Sequence, residues 1–361
     1  MPAVAPVLAV MVVAVLSALA LVASGCGGTD TGRTTAKAKG STDAATTATT
    51  TAGSNPSTPS SVGSTALMDA VCDGSAKVSD AGTISSSAIT EASGIVASWN
   101  GAGDGAKGPW WVHNDSGDSA RVFAIDGSAN LLATVELDGV EARDWEDIAV
   151  GPPVTPGGRA QLYVGDIGNN AAMRSPAGAR RSVRIYRLDE PAVPSGPSSG
   201  PSSIHVVRAD VTSFTLTYPD RAYDAEALLV DPIDGDLIIV TKDWASTGES
   251  QVFRVPGAAM IAGGSTTVLE HVGSVSTGRG TLVTAADVTR DGSVVALRSY
   301  GGVDLYRRPK GAPLWAAFAN TPCAGPRVPE LQGESLGFAP DGGSYLTLAE
   351  GSRPTLHRTS P

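Results

Sequence analysis

Five short stretches of this chain open on polar or acidic residues and run directly into apolar ones. The fullest is Arg143-Asp144-Trp145-Glu146-Asp147-Ile148-Ala149, and weaker copies begin at Glu91, Asp224, Thr284 and Gln332. Glu146, Glu226 and Glu334 stand in one column of these copies, with Asp144 and Asp224 in a second column two residues earlier. Residues two apart on a strand share a face, so both columns point the same way. Copies set around a common axis would bring these carboxylates together. Like charges so gathered raise one another's pKa, bind a cation, or take basic groups between them. Oxygen-only donors favour a hard ion, Ca2+ before zinc, and make Asp144, Glu146, Asp224, Glu226 and Glu334 the expected metal ligands. His occurs only at 113, 205, 271 and 357, with no H-x-x-x-H or C-x-x-C spacing, which argues against transition-metal and thiol chemistry.

A second set of polar residues follows the second apolar run of each copy. Asn114, Asp115, Asp118, Asp166, Asn169, Lys242 and Arg298 are the candidate ligand-binding residues from these loops. A cation beside carboxylates, with Lys242 and Arg298 on the same face, would suit a phosphate ester or a sugar acid. The structural alternative is that Lys242 and Arg298 pair with Asp224, Glu226 or Asp287 and brace a channel. Asn114 to Asp118 superficially matches a calcium-binding EF-hand loop, but Ser119 stands where that loop needs Gly. His113, beside Trp110 and Trp111, is either a base or a packing residue. Trp110, Trp111, Trp145 and Trp244 are packing residues or platforms on which a sugar could stack. No G-x-S-x-G nucleophile motif is present.

The elements that must position these residues form a repeat. Each opening leads a first strand, A, and strand B follows in Trp110–His113, Leu162–Val164, Leu237–Val240, Val294–Leu297 and Tyr345–Leu348. Strand C is expected at Arg121–Ile125, Val183–Arg187, Gln251–Val255, Val303–Arg307 and Thr355–Arg358. Asp234-Gly235, Asp291-Gly292 and Asp341-Gly342 supply the positive φ that tight A–B hairpins need. Strand D is predicted at Leu131–Leu137, Ile204–Leu216, Thr267–Val275 and Leu314–Phe318, and the fifth copy ends without one. Ala76–Ile84, ahead of the first copy, supplies the missing strand. The pattern predicts an all-β fold, a β-propeller of five four-stranded blades whose last blade is closed by an N-terminal strand. The alternative is a sixth blade within Ala171–Pro219, a stretch whose Pro191–Ser203 is mostly Pro, Ser and Gly loop.

Residues 1–26 read as a lipoprotein-type signal peptide: an apolar run, then Ala23-Ser24-Gly25-Cys26, with Cys26 the lipidation site. Ala stands where Leu is usual three residues before Cys26, and no Lys or Arg precedes the run, so an uncleaved membrane anchor is the alternative. Residues 27–66, rich in Thr, Ala, Ser and Gly, read as a disordered tether. Residues 67–361 form the single propeller domain. If Cys26 carries lipid, Cys72 and Cys323 remain as a disulfide pair in an oxidising compartment, the alternative being two free thiols. A simple strand layout sets these two at opposite ends of neighbouring strands, which counts against the pairing. The formal net charge of -10 repels phosphate backbones and sets nucleic acid aside as a partner.

Taken together, the run Trp111 to Asp118, Asp144 to Ala149, Gly165 to Asn170 and Gln332-Gly333-Glu334 resemble a family of exported bacterial propeller proteins. That family is distantly similar to TolB-type and NHL-type propellers. The resemblance implies fold and export and carries no catalytic residues. The expected function is a monomeric, lipid-anchored extracytoplasmic propeller on the outer side of the cell membrane, or a secreted one. It would bind a small polar ligand or an extracytoplasmic protein, with a Ca2+ site at its acidic face. The rival expectations are a Ca2+-dependent hydrolase of phosphate esters or glycans and a protein-interaction scaffold.

Overall fold

A computed structural model describes residues 61–100, 108–170, 179–193 and 205–361. The expected signal, Cys26 and most of the expected tether lie outside these residues, as do most of the residues proposed for a sixth blade. Five blades stand in a ring, each an antiparallel sheet ordered A-B-C-D. The A strands are Ala92–Ala97, Trp145–Gly151, Ala225–Val230, Val283–Val288 and Gly333–Phe338. Each A strand packs against the A strands of the two neighbouring blades, and the last packs against the first. Strands B and C fall where the repeat puts them. Every described residue of B in blades 1 to 3 is buried, because a blade is covered on both faces by its neighbours. Apolar clusters fill the wedges between consecutive blades.

Blade 5 is closed by Lys77–Thr83, which pairs antiparallel with Thr355–Ser360. The first and last strands of the ring therefore lie side by side. Three D strands differ from expectation. The stretch Ile204–Leu216 divides: His205–Ala209 adds in parallel to the outer edge of blade 1, and Thr212–Thr217 is strand D of blade 2. Thr267–Val275 divides the same way, with Thr266–Val268 joining blade 2 and Glu270–Ser276 completing blade 3. In blade 4 the expected strand at Leu314–Phe318 is a 3-10 helix, Leu314–Ala319, and strand D is only Cys323–Ala324. Leu314 and Ala317, three apart, both turn inward, which suits a three-residue turn better than an alternating strand.

That short strand leaves the wedge between blades 4 and 5 underfilled. A helix, Ser61–Cys72, fills it: Leu67, Met68 and Val71 pack against Ala285, Leu305, Leu336 and Tyr345. The last six residues of the segment read as tether, from Ser61, therefore belong to this helix. Cys72 ends the helix and is disulfide-bonded to Cys323, with Cα atoms 4.8 Å apart. The expected conflict between them disappears because Cys72 lies on a helix end and not on a strand.

One local irregularity repeats in every blade. Strand A carries a bulge against strand B at Ser93, Glu146, Glu226, Thr284 and Glu334. A bulge inserts one residue and re-aims its side chain. Around the axis the blades are stitched by side chains at or beside these bulges. Ser93 Oγ donates to the Glu146 carbonyl, Thr284 Oγ1 to the Gly333 carbonyl and Ser335 Oγ to the Ala92 carbonyl. Asp147 is fully buried and accepts N–H bonds from Ile148, from Leu228 in blade 3 and from Ala286 in blade 4. Asp287 accepts from Val288 and from Phe338 in blade 5.

Candidate metal centre at the axial mouth

The bulge column holds three carboxylates, Glu146, Glu226 and Glu334, at 3, 3 and 4 % exposure. Asp144 and Asp224 precede two of them on the approach to strand A. The ends of strands B add Asp115, Lys242, Tyr300 and Glu350. One ligand atom each from Asp115, Asp144 and Glu146 lies within 4.8 Å of the others, and the same holds for Glu146, Asp224 and Glu226. Gly168 makes room for this, since a Cβ there would fall 1.9 Å from Glu146 Oε1.

Lys242 is the buried cation of the group, its Nζ 2.8 Å from Glu226 Oε1. The same ammonium lies over the rings of Trp244 and Tyr300, 5.2 and 5.3 Å from their centroids. Trp244 donates its indole N–H to Asp224 Oδ2, and the Asn169 N–H reaches Asp224 Oδ1. The Tyr300 hydroxyl donates to Glu334 Oε1, while Glu334 Oε2 is buried without a hydrogen-bond partner among the described residues. No donor among the described residues reaches the Glu146 carboxylate. Its surroundings supply negative charge and little else.

The electrostatics follow. Burial, and then Glu226, Asp115, Asp144 and Asp224, push the Glu146 carboxyl well above the usual range. Burial raises Glu226 strongly too, against the pull of Lys242. Asp115 is pushed up to about 7 by burial, with Asp144 and Glu334 adding to it. Burial and then Glu334 raise Glu350 to about 7. Burial opposes the charge on Lys242, but Glu226 foremost outweighs it, and the ammonium is held more firmly than usual. Carboxylates in this state take up a proton or a metal ion at neutral pH. All the converging donors are oxygens. Among the described residues no His or Cys side chain joins them, which suits Ca2+ or Mg2+ better than a transition metal.

The other residues singled out in the sequence divide cleanly. Asn114 accepts the Thr90 and Glu91 N–H groups and donates to the Ala88 carbonyl and Asp118, so it shapes its own loop. Asp118 pairs with Arg121 at 2.7 Å, and Asp166 with Arg180. Asn169 spans the Arg180 and Tyr223 carbonyls. Arg298 turns away from the cluster and pairs with Glu330, which also meets His357 Nδ1 at 2.8 Å and Thr347. Asp287 packs between blades 4 and 5 and ligates nothing at the mouth. His113 is fully buried, bonds the Asn114 carbonyl through Nδ1 and lies edge-on to Trp145; burial brings its pKa down to about 4, so it is neutral packing. Trp110, Trp111 and Trp145 are core, and of the four singled-out Trp only Trp244 faces the mouth.

Sequence reasoning passed over Glu330 and Arg180, which sit in loops with no periodicity to mark them. Tyr300, two residues after Arg298 and just past the end of its strand, was the better choice of the two: Arg298 pairs with Glu330, whereas Tyr300 reaches Glu334.

No family model and no curated protein matches the chain. Among solved structures it is similar to Kuenenia stuttgartiensis hydrazine synthase, at a TM-score of 0.37 and 12% identity, over 73% of this chain and 70% of that one. It is also similar to Myxococcus xanthus glutaminyl cyclase, at a TM-score of 0.38 and 12% identity, over 79% of this chain and 96% of that one. Likeness of this degree carries no argument about chemistry.

Proposed function

We propose that this chain is a lipid-anchored, extracytoplasmic propeller that binds a hard divalent cation, Ca2+ in class, at its axial mouth and through it a small polar ligand. The observation that carries the reading is Glu146: a buried carboxylate with no donor among the described residues, ringed by four further carboxylates from two blades and the loop of a third. Such a group is costly as a bare anion and stable with an ion beside it. The Cys72–Cys323 disulfide supports export, since such bonds persist mainly outside the cytoplasm. Ca2+ should raise the melting temperature, by about 2.7 kcal/mol of stability at a hundred times its dissociation constant. The double change Glu146→Gln/Glu226→Gln should remove the response while circular dichroism stays that of the wild type. Calorimetry that detects no Ca2+ binding at millimolar concentration would leave the carboxylates as a proton-sharing network braced by Lys242.

The hydrolase reading has one observation in its favour. The Lys242 ammonium and the Tyr300 hydroxyl, two hydrogen-bond donors, stand in the same acidic cluster, against Glu226 and Glu334. Turnover of a nitrophenyl phosphate or glycoside that chelator abolishes and Ca2+ restores would establish it; silence across such a screen leaves the binding protein.

A further inference from the structure

The cluster is too wide for one ion. Ca2+ sits about 2.3–2.6 Å from its oxygens, so ligands on opposite sides of a single ion are about 5 Å apart. Asp115, Asp144 and Glu146 fit within that span, and so do Glu146, Asp224 and Glu226. No group of three or more of that width holds Asp115 together with Asp224 or Glu226 among the described residues. We propose that the mouth is a two-ion centre for hard divalent cations, an outer site on Asp115 and Asp144 and an inner site on Asp224 and Glu226, with Glu146 the ligand common to both.

Two features beyond the cluster itself point to ligands in this place. The Glu146 carboxylate is buried with no donor among the described residues, and Glu334 presents a buried oxygen without a partner on the same bulge column. Charge agrees. Asp115, Asp144, Glu146, Asp224, Glu226, Glu334 and Glu350 face one buried ammonium, Lys242. One divalent ion falls well short of neutralising them, and two come within two charges. The two sites also differ in access. Asp115 and Asp144 are half-buried while Asp224 and Glu226 are buried, so the outer ion is the exchangeable one and the one able to meet a ligand oxygen. Paired ions sharing a carboxylate are suited to clamp an oxyanion between them.

This inference rests on the cation reading above, and stoichiometry separates the two. Titration calorimetry of the purified full-length chain with Ca2+, checked by metal analysis after gel filtration, should give two ions per chain. Asp115→Asn/Asp144→Asn, at half-buried positions that the fold tolerates, should retain one ion. Glu226→Gln should also retain one, and Glu146→Gln should weaken both. A wild-type stoichiometry of one overturns the two-ion centre and leaves the cation reading standing. If that single ion also survives Glu226→Gln, Lys242 alone serves the inner carboxylates. No bound ion at all overturns both.

Discussion

Asp287 and His113 are buried titratable groups that pull the pH dependence of stability in opposite directions. Burial raises Asp287 to about 7, against the pull of two N–H bonds, whereas an unfolded Asp titrates near ~3.9. Between those values the folded chain holds a proton that the unfolded chain has lost. The resulting stability is present in full below about pH 4 and is lost as pH rises through about 7. His113, brought down to about 4 by burial, does the reverse: its contribution is present above about 6.5 and lost as pH falls through 4. In the wild type the two slopes offset each other. Asp287→Asn removes the falling one, and its stability should climb with pH relative to wild type by about 1.4 kcal/mol per unit across that window. Urea midpoints at several pH values check this, and parallel curves for the two proteins would refute it. The same substitution also deprives one buried N–H, of Val288 or Phe338, of its acceptor, at about 1–3 kcal/mol at every pH.

At the scale of elements, strands A, B and C of every blade are legible in the sequence because a turn signal or a polar opening bounds each one. Strand D is less so, because the outer edge of a blade bears the least packing and tolerates irregular chain. Hence Thr212–Thr217 and Glu270–Ser276 each have a short companion on the neighbouring blade, and blade 4 nearly dispenses with the strand. The helix Ser61–Cys72 was hidden for a different reason. It begins in the Ser, Thr and Ala bias of the stretch before it, and its apolar residues find their partners in blades more than two hundred positions away. The bulges leave no signature of their own, yet the acidic column they produce is visible, so Glu146, Glu226 and Glu334 could be named before their geometry was known. Arg298 could not be placed, because one step of alternation decides whether it meets the axis or Glu330. The N-terminal elements yield a prediction. A chain beginning at Ser85 lacks both the helix and the closing strand, bares the edge of Thr355–Ser360, and should aggregate. Deleting Thr29–Ser57 should leave the melting temperature unchanged. A Ser85 start that melts cooperatively at the wild-type temperature would show that the ring is closed by other means.

For the whole molecule, length, Gly and Pro content and the repeat pointed to a propeller ring and favoured five blades over six, since each repeat can bury its faces only against the next. The candidate site is a property of blades packed side by side, because its carboxylates come from three consecutive ones: Asp115 from blade 1, Asp144 and Glu146 from blade 2, Asp224 and Glu226 from blade 3. Where the molecule resides is a separate matter and rests on Cys26. Cys26→Ala should shift the protein from the membrane fraction to the soluble one, as fractionation and immunoblotting would report. A mutant that stays with the membrane would favour an uncleaved apolar anchor.

The placing of Cys72 has a mechanical meaning. It lies between Ser61 and the closing strand, so a pull applied at Ser61 travels down the helix and crosses the sulfur bridge into blade 4 before it reaches Lys77. The Lys77–Thr83 ladder, whose first pair is Lys77 with Ser360, would otherwise be unzipped one pair at a time from its loaded end. With the bridge intact that ladder carries no tension. Stretched between Ser61 and blade 4 in a single-molecule instrument, the oxidised domain should resist as a unit, and reductant should introduce an early, low-force step as the closing strand peels away. Identical force traces with and without reductant would show that the load takes another path.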